Sequence, residues 1–122
     1  MIRGRFGENG QIYFEIDLID NVGENLAVEA MLDTGFTEFL AMNQQDIDSL
    51  EWSFLGQDKL MTAQGEATFN IYLGRLAIDE QVFEIPVFAG SEIQKILLGS
   101  QWLKQFTLIV RYSEGRVTLE KE

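Results

Sequence analysis

The chain of 122 residues has no histidine, no cysteine and a single proline, Pro86. Without histidine, Ser-His and Cys-His nucleophilic sites are excluded, as are histidine-ligated zinc sites. Without cysteine the chain supplies no disulfide, no thiol nucleophile and no ligand for a zinc finger or an iron–sulfur cluster. Acid–base chemistry is left to carboxylates, Lys, Tyr and Ser/Thr. Positive charge is scarce too: nine Lys and Arg stand against twenty Asp and Glu, a net charge of −11. Such a surface repels phosphate backbones and anionic lipid, so neither nucleic acid nor a membrane is expected as a partner. The simplest consequence of the charge is solubility. No run approaches the roughly 18 apolar residues of a membrane helix, and no apolar stretch follows Arg3 and Arg5 as in a signal peptide. A cytoplasmic location is the expectation. No cofactor and no metal is expected either. Asp17, Asp20, Asn21, Gly23 and Glu24 fail the calcium-loop pattern, because Ile19 takes its third position and no helices flank it, and they read as a turn. Asp46, Asp48 and Glu51 read as a solvated helix face, and there is no Gly-rich loop followed by Lys-Ser/Thr to cradle a phosphate.

A hydrophobic content of 46% is that of a globular protein, and the length fits one domain, residues 1–122, able to bury roughly two-thirds of its unfolded surface. Residues 11–19 alternate as a half-buried strand. They are followed by turn residues at 20–24 and a second strand over 26–32, a hairpin pattern. Residues 39–42 form a short apolar strand, and Asn43 is placed to cap a helix over 44–50 with Asp46 in its first turn. Strands over 59–62 and 66–73 flank Ala63-Gln64-Gly65, and strands over 75–78 and 81–88 flank Asp79-Glu80. Trp52 and Phe54, like Phe69 and Ile71, alternate as inward-facing core residues. An apolar stretch over 93–98 ends at Gly99, where Ser100 is placed to cap a short helix through Phe106. Strands over 107–112 and 116–119 close the chain. Many short strands with frequent turn signals predict a mostly β barrel or sandwich with one or two short helices.

The stretch Ala30-Met31-Leu32-Asp33-Thr34-Gly35-Phe36-Thr37 stands out. It carries a strand-like apolar run into a carboxylate, a hydroxyl and a glycine, setting a charge at the end of a buried strand on a bend that glycine permits. Asp-Thr-Gly alone is weak evidence, since average composition produces it by chance in roughly one chain in forty of this length. Its context is stronger: Met31-Leu32 precede it and the apolar Phe39-Leu40-Ala41-Met42 follows.

This stretch resembles the active-site loop of the retropepsin-like aspartic proteases, with Asp-Thr-Gly-Phe-Thr similar to that of their bacterial single-domain relatives. Ile96-Leu97-Leu98-Gly99-Ser100-Gln101-Trp102-Leu103, about sixty residues on, is similar to the segment that closes the family's fold beside that loop. The resemblance implies a closed retropepsin-like β-barrel and an aspartic endopeptidase. Because Asp-Thr-Gly occurs once in the chain, it also implies a homodimer in which two Asp33 carboxylates, one per subunit, share a proton and activate water. It assigns Thr34 to a bond across the dimer and Gly35 to close approach of the backbone. Phe36 and Thr37 fall to binding of a peptide or protein substrate. Ala63, Gln64 and Gly65 fall at the tip of a hairpin flap that covers the substrate. There are departures from the viral pattern. The hairpin lacks their several glycines, and Phe36 replaces a small residue. The acidic Glu120-Lys121-Glu122 replaces an apolar last strand, which leaves Ile2–Phe6 or Val117–Leu119 to pair between subunits. The alternative reading is a peptide-binding or assembly module that keeps the fold without proteolysis.

Overall fold

The structure, a computed structural model, describes residues 1–62 and 64–122. The chain begins with two short strands, β1 (Ile2–Arg3) and β2 (Arg5–Phe6), and a hairpin of β3 (Ile12–Ile19) and β4 (Asn25–Leu32). Asp20 makes the turn between them, its Oδ1 accepting from the backbone N–H groups of Val22 (3.0 Å) and Glu24 (2.8 Å). That is an Asx turn, as expected. Strand β5 (Leu40–Asn43) leads directly into helix α1 (Gln44–Leu50), whose N-cap is Asn43, with its side chain accepting from Gln45 N–H at 2.9 Å. Then follow β6 (Ser53–Thr62), β7 (Gly65–Ile78), β8 (Gln81–Gly90), β9 (Leu97–Leu98), β10 (Phe106–Arg111) and β11 (Arg116–Lys121).

The large sheet runs β2-β3-β4-β9-β5-β8-β7-β6, and a further pairing of β3 with β7, Asp17 opposite Ala77 and Leu18 opposite Leu76, closes its middle into a ring. Strand β9 lies between β4 and β5, parallel to the first and antiparallel to the second. Inside the ring sit Phe14, Leu18, Leu40, Ile47, Leu76, Val87 and Leu98. Trp102 and Phe106 plug one end together with Val117 and Leu119. Burying each such side chain contributes about 1.5–3 kcal/mol, so the alternation of β3 and the apolar β9 and β5 set the barrel's inside. No helix among the described residues is long and apolar enough to cross a membrane.

Several expectations are corrected. The strands expected at 66–73 and 75–78 are one strand of 14 residues, because Gly74 continues the ladder opposite Ile85 instead of ending it. Trp52 is buried, but Phe54 is 57% exposed. Trp52 precedes β6, which begins at Ser53, so the two do not alternate along one strand. The stretch expected over 93–98 is a strand only at Leu97–Leu98. The following helix is a 3-10 segment, Ser100–Lys104, with Gly99 at its N-cap and no side-chain cap, so Ser100 does not play that part. Finally, Ile2 and Arg3 pair within the chain, opposite Leu119 and Thr118. Strand β11 is thereby paired on both sides, with β1 and β10, whereas β1 and β2 each stand at the end of a sheet with one edge open.

Candidate active site

Asp33 lies one residue beyond β4, and its position is set by β9. The Met31 N–H donates to the Ile96 carbonyl (2.8 Å) and the Asp33 N–H to the Leu98 carbonyl (2.9 Å). The loop after Asp33 is held from the same side. Gly99, Ser100 and Gln101 donate their N–H groups to the carbonyls of Phe39 (2.9 Å), Phe36 (2.8 Å) and Glu38 (3.4 Å). Gln101 Nε2 reaches the Thr37 carbonyl (3.1 Å), and the Nε1 of buried Trp102 reaches that of Phe39 (2.8 Å). Two segments far apart in sequence thus satisfy each other's backbone groups, as a buried junction requires. Gly99 is where they touch: a Cβ there would sit 1.8 Å from the Glu38 carbonyl oxygen and 2.7 Å from that of Phe36.

The Asp33 carboxylate accepts a hydrogen bond from the Gly35 N–H at 2.9 Å through Oδ1. A Cβ on Gly35 would lie 3.2 Å from that oxygen, so the glycine serves close approach of its amide to the carboxylate. It is not among the residues with left-handed φ, so the bend expected here does not draw on glycine's backbone freedom. Asp33 is half-buried in the single chain, not buried, while Thr34, Gly35 and Thr37 are exposed on the rim beside it.

A cleft of about 370 Å³ opens in front of Asp33. Of the residues expected at the site, Asp33, Gly35 and Phe36 line it. Thr34, Thr37, Gln64 and Gly65 do not, and Ala63 lies outside the described residues. The remaining described lining is Ala41, Leu60, Met61, Thr62, Phe69, Phe88, Ile93 and Leu97, so Asp33 is the only ionisable group among the described residues of the cleft. Phe88 anchors its aromatic wall, edge-on to Phe36 (6.0 Å) and to Phe69 (6.2 Å). Such pairs favour this geometry. The β6–β7 hairpin contributes Phe69 from one arm and Leu60, Met61 and Thr62 from the other, with Met61 77% exposed. At the hairpin tip Thr62 Oγ1 donates to the Gly65 carbonyl (2.7 Å) and accepts from the Gln64 N–H (3.2 Å), while Gly65 takes a left-handed φ of 109°.

Solved structures share the fold of this chain. A retropepsin-like aspartic protease from Rickettsia conorii superposes with a TM-score of 0.72 at 19% identity, over 98% of this chain and 89% of that one. The chain has the retropepsin-like fold. The EIAV protease complexed with the inhibitor HBY-793 matches at a TM-score of 0.66 and 10% identity, over 81% of this chain and 90% of that one. The simian foamy virus protease, in its solution structure, matches at 0.53 and 18%, over 74% and 89%. No protein-family model matches the chain, and no curated protein matches it in sequence. In a retropepsin-like fold, the Asp33 loop and the β9 segment meet as their ordered motifs suggest.

The resemblance placed Met61 and Thr62 in the hairpin flap, but sequence reasoning missed Ala41, Leu60, Phe69, Phe88, Ile93 and Leu97 as lining residues. Phe69 was assigned to the core because its alternation with Ile71 is the same whether a strand faces a core or a cleft. The usable signal was the hairpin itself, since arms that flank a flap tip must face what the flap covers.

Proposed function

We propose that the 122-residue chain forms one catalytic unit of a homodimeric aspartic endopeptidase. The observation that carries this reading is the lone carboxylate of Asp33, held by the Gly35 N–H at the mouth of an apolar cleft beneath a hairpin. The retropepsin-like fold supports it. In the dimer, Asp33 of each subunit meets on the two-fold axis, and two carboxylates that close share one proton. The ionised member takes a proton from water as the water attacks the peptide carbonyl, and the protonated member gives its proton to the carbonyl oxygen. The exposed Thr34 is positioned to bond the partner's loop. Phe36 and the flap residues Gln64 and Gly65 bind an extended peptide. Thr37 acts on the substrate side of the rim.

The test is cleavage of an apolar peptide library by the wild type and by Asp33→Asn. Cleavage falling by at least about a thousandfold in the variant, with a rate that peaks at acidic pH in the wild type, is the expected result. Full activity in Asp33→Asn, or a profile flat from neutral to alkaline pH, overturns the reading. Sedimentation should show a dimer, and a monomer at high concentration removes the two-carboxylate mechanism. A second reading, a peptide-binding module without turnover, draws on the fact that one chain brings one carboxylate to an otherwise apolar cleft. Peptide binding without cleavage selects it.

A further inference from the structure

The start of α1 is tied to both walls of the cleft by two consecutive amide side chains. Asn43 caps the helix and donates its Nδ2–H to the Ile93 carbonyl at 3.0 Å, holding the loop that carries Ile93 into the cleft wall. Gln44 reaches the other way. Its Nε2 donates to the Tyr72 hydroxyl (2.8 Å) and to Asp48 Oδ1 (2.9 Å), and its Oε1 accepts from Asn70 Nδ2 (2.9 Å). Asn70 Oδ1 in turn accepts from Gln57 Nε2 at 3.0 Å. The polar chain therefore runs from the helix to both strands of the hairpin.

Its place in the fold is specific. Gln57 and Asn70 are opposite each other in the ladder, at the root of the hairpin. Asn70 also pairs with β8, opposite Ala89, whereas the part of β7 from Gly65 to Phe69 pairs with β6 alone. Just before Gln57 the bulge between Phe54 and Gly56 ends at Gly56, whose φ of 144° lies in a region that other residues rarely enter. A free hairpin arm, a glycine bulge and a side-chain tether thus coincide at one level. Successive strand residues face opposite ways. Asn70 turns toward the helix while its neighbour Phe69 turns into the cleft, so a tilt of the strand at Asn70 moves the aromatic wall.

We propose that Gln44, Asn70 and Gln57 form a latch that sets the angle of the hairpin over the cleft, with Gly56 as its hinge. These are positioning residues; none of them is among the cleft's lining residues. The consequence for substrate rests on the peptidase reading above, whereas the latch itself does not. Half-exposed amide bonds suit a latch because each contributes little net stability and exchanges readily with water, so the hairpin can open for a peptide and close again.

Hydrogen exchange followed by mass spectrometry on the full chain tests this directly, comparing wild type with Gln44→Ala, Asn70→Ala and the double variant. In Gln44→Ala the amides of residues 57–69 should exchange about tenfold faster, the effect of losing a tethering bond on a local opening, while β3 and β4 keep their protection. The double variant should add little to Asn70→Ala, since the two share the central bond. Tyr72→Phe keeps that bond and should give a smaller acceleration. With a cleavable peptide, Gln44→Ala should raise KM severalfold and leave kcat within about twofold. Unchanged exchange in the hairpin overturns the latch, and so does acceleration spread equally through β3 and β4, which marks a merely structural role. If no peptide is cleaved, exchange still decides the latch, while Asp33→Asn and the pH profile decide the enzyme.

Discussion

The two walls of the cleft are built in opposite ways. The wall that holds Asp33 is locked by backbone hydrogen bonds between the 31–39 segment and the 96–101 segment, closed by a glycine with no room for a side chain. The hairpin wall is paired only with itself beyond Asn70, where the ladder with β8 ends and side-chain amides tie the strand to α1. Backbone ladders that join distant segments open only when much of the structure opens, whereas a projecting hairpin opens locally. The carboxylate is therefore kept in place while its cover is free to move. On the proposed peptidase reading, this division suits an extended peptide that enters under the hairpin and is then shielded from water.

Gly99→Ala should break the comparison most severely. The added Cβ meets the Glu38 carbonyl, a backbone atom that cannot rotate away. A loss of about 3 kcal/mol or more is expected, measured by denaturant unfolding, and cleavage should be lost with it. A variant as stable as the wild type would show that the locked wall is looser than its hydrogen bonds indicate. Met61→Ser should sharpen the contrast from the other side. Met61 is 77% exposed, so stability should change by less than about 0.5 kcal/mol. KM for an apolar peptide should nevertheless rise, because the side chain lines the cleft. Equal KM values in the two proteins would remove the hairpin from substrate contact.

The smallest effect concerns the outer flank of the locked wall. Glu29, on β4, is hydrogen-bonded to the Arg5 guanidinium on the neighbouring edge, which holds its carboxyl below the usual carboxylate range and raises that of Arg5. A carboxyl lowered in the folded state stabilises above its unfolded value and loses that contribution as pH falls through its folded value. The pair is exposed, so its contribution is small and screened by salt. Glu29→Gln should be slightly less stable than the wild type at neutral pH, and the two melting temperatures should converge in strong acid. A gap that persists there would assign the loss to packing.

Local chemistry was readable at some places and silent at others. Asn43 before a helix and Asp20 in a turn act through bonds spanning a few residues, and both stand where their types predict. Gly74 misled because glycine in a strand reads as a break, while the ladder with β8 carries the strand through it opposite Ile85. Phe54 misled because Trp52 lies before β6 begins at Ser53, so the two do not share one strand face. Gln44 and Asn70 carried no signal, since an amide announces nothing until a partner from another element arrives.

The amino-acid sequence by itself determined that any acid–base chemistry here falls to carboxylates, Lys, Tyr or hydroxyls, since it has no histidine or cysteine. It also marked Asp33 and Gly99 as the ends of two linked motifs. Only the tertiary structure decided that β9 inserts between β4 and β5, that Asp33 stands half-exposed at an apolar cleft, and that the termini pair within one chain. The physical reason is range. Residue type and short-range bonding are written along the chain, but the pairing of segments sixty or more residues apart is settled by burial and by backbone groups finding partners across the fold.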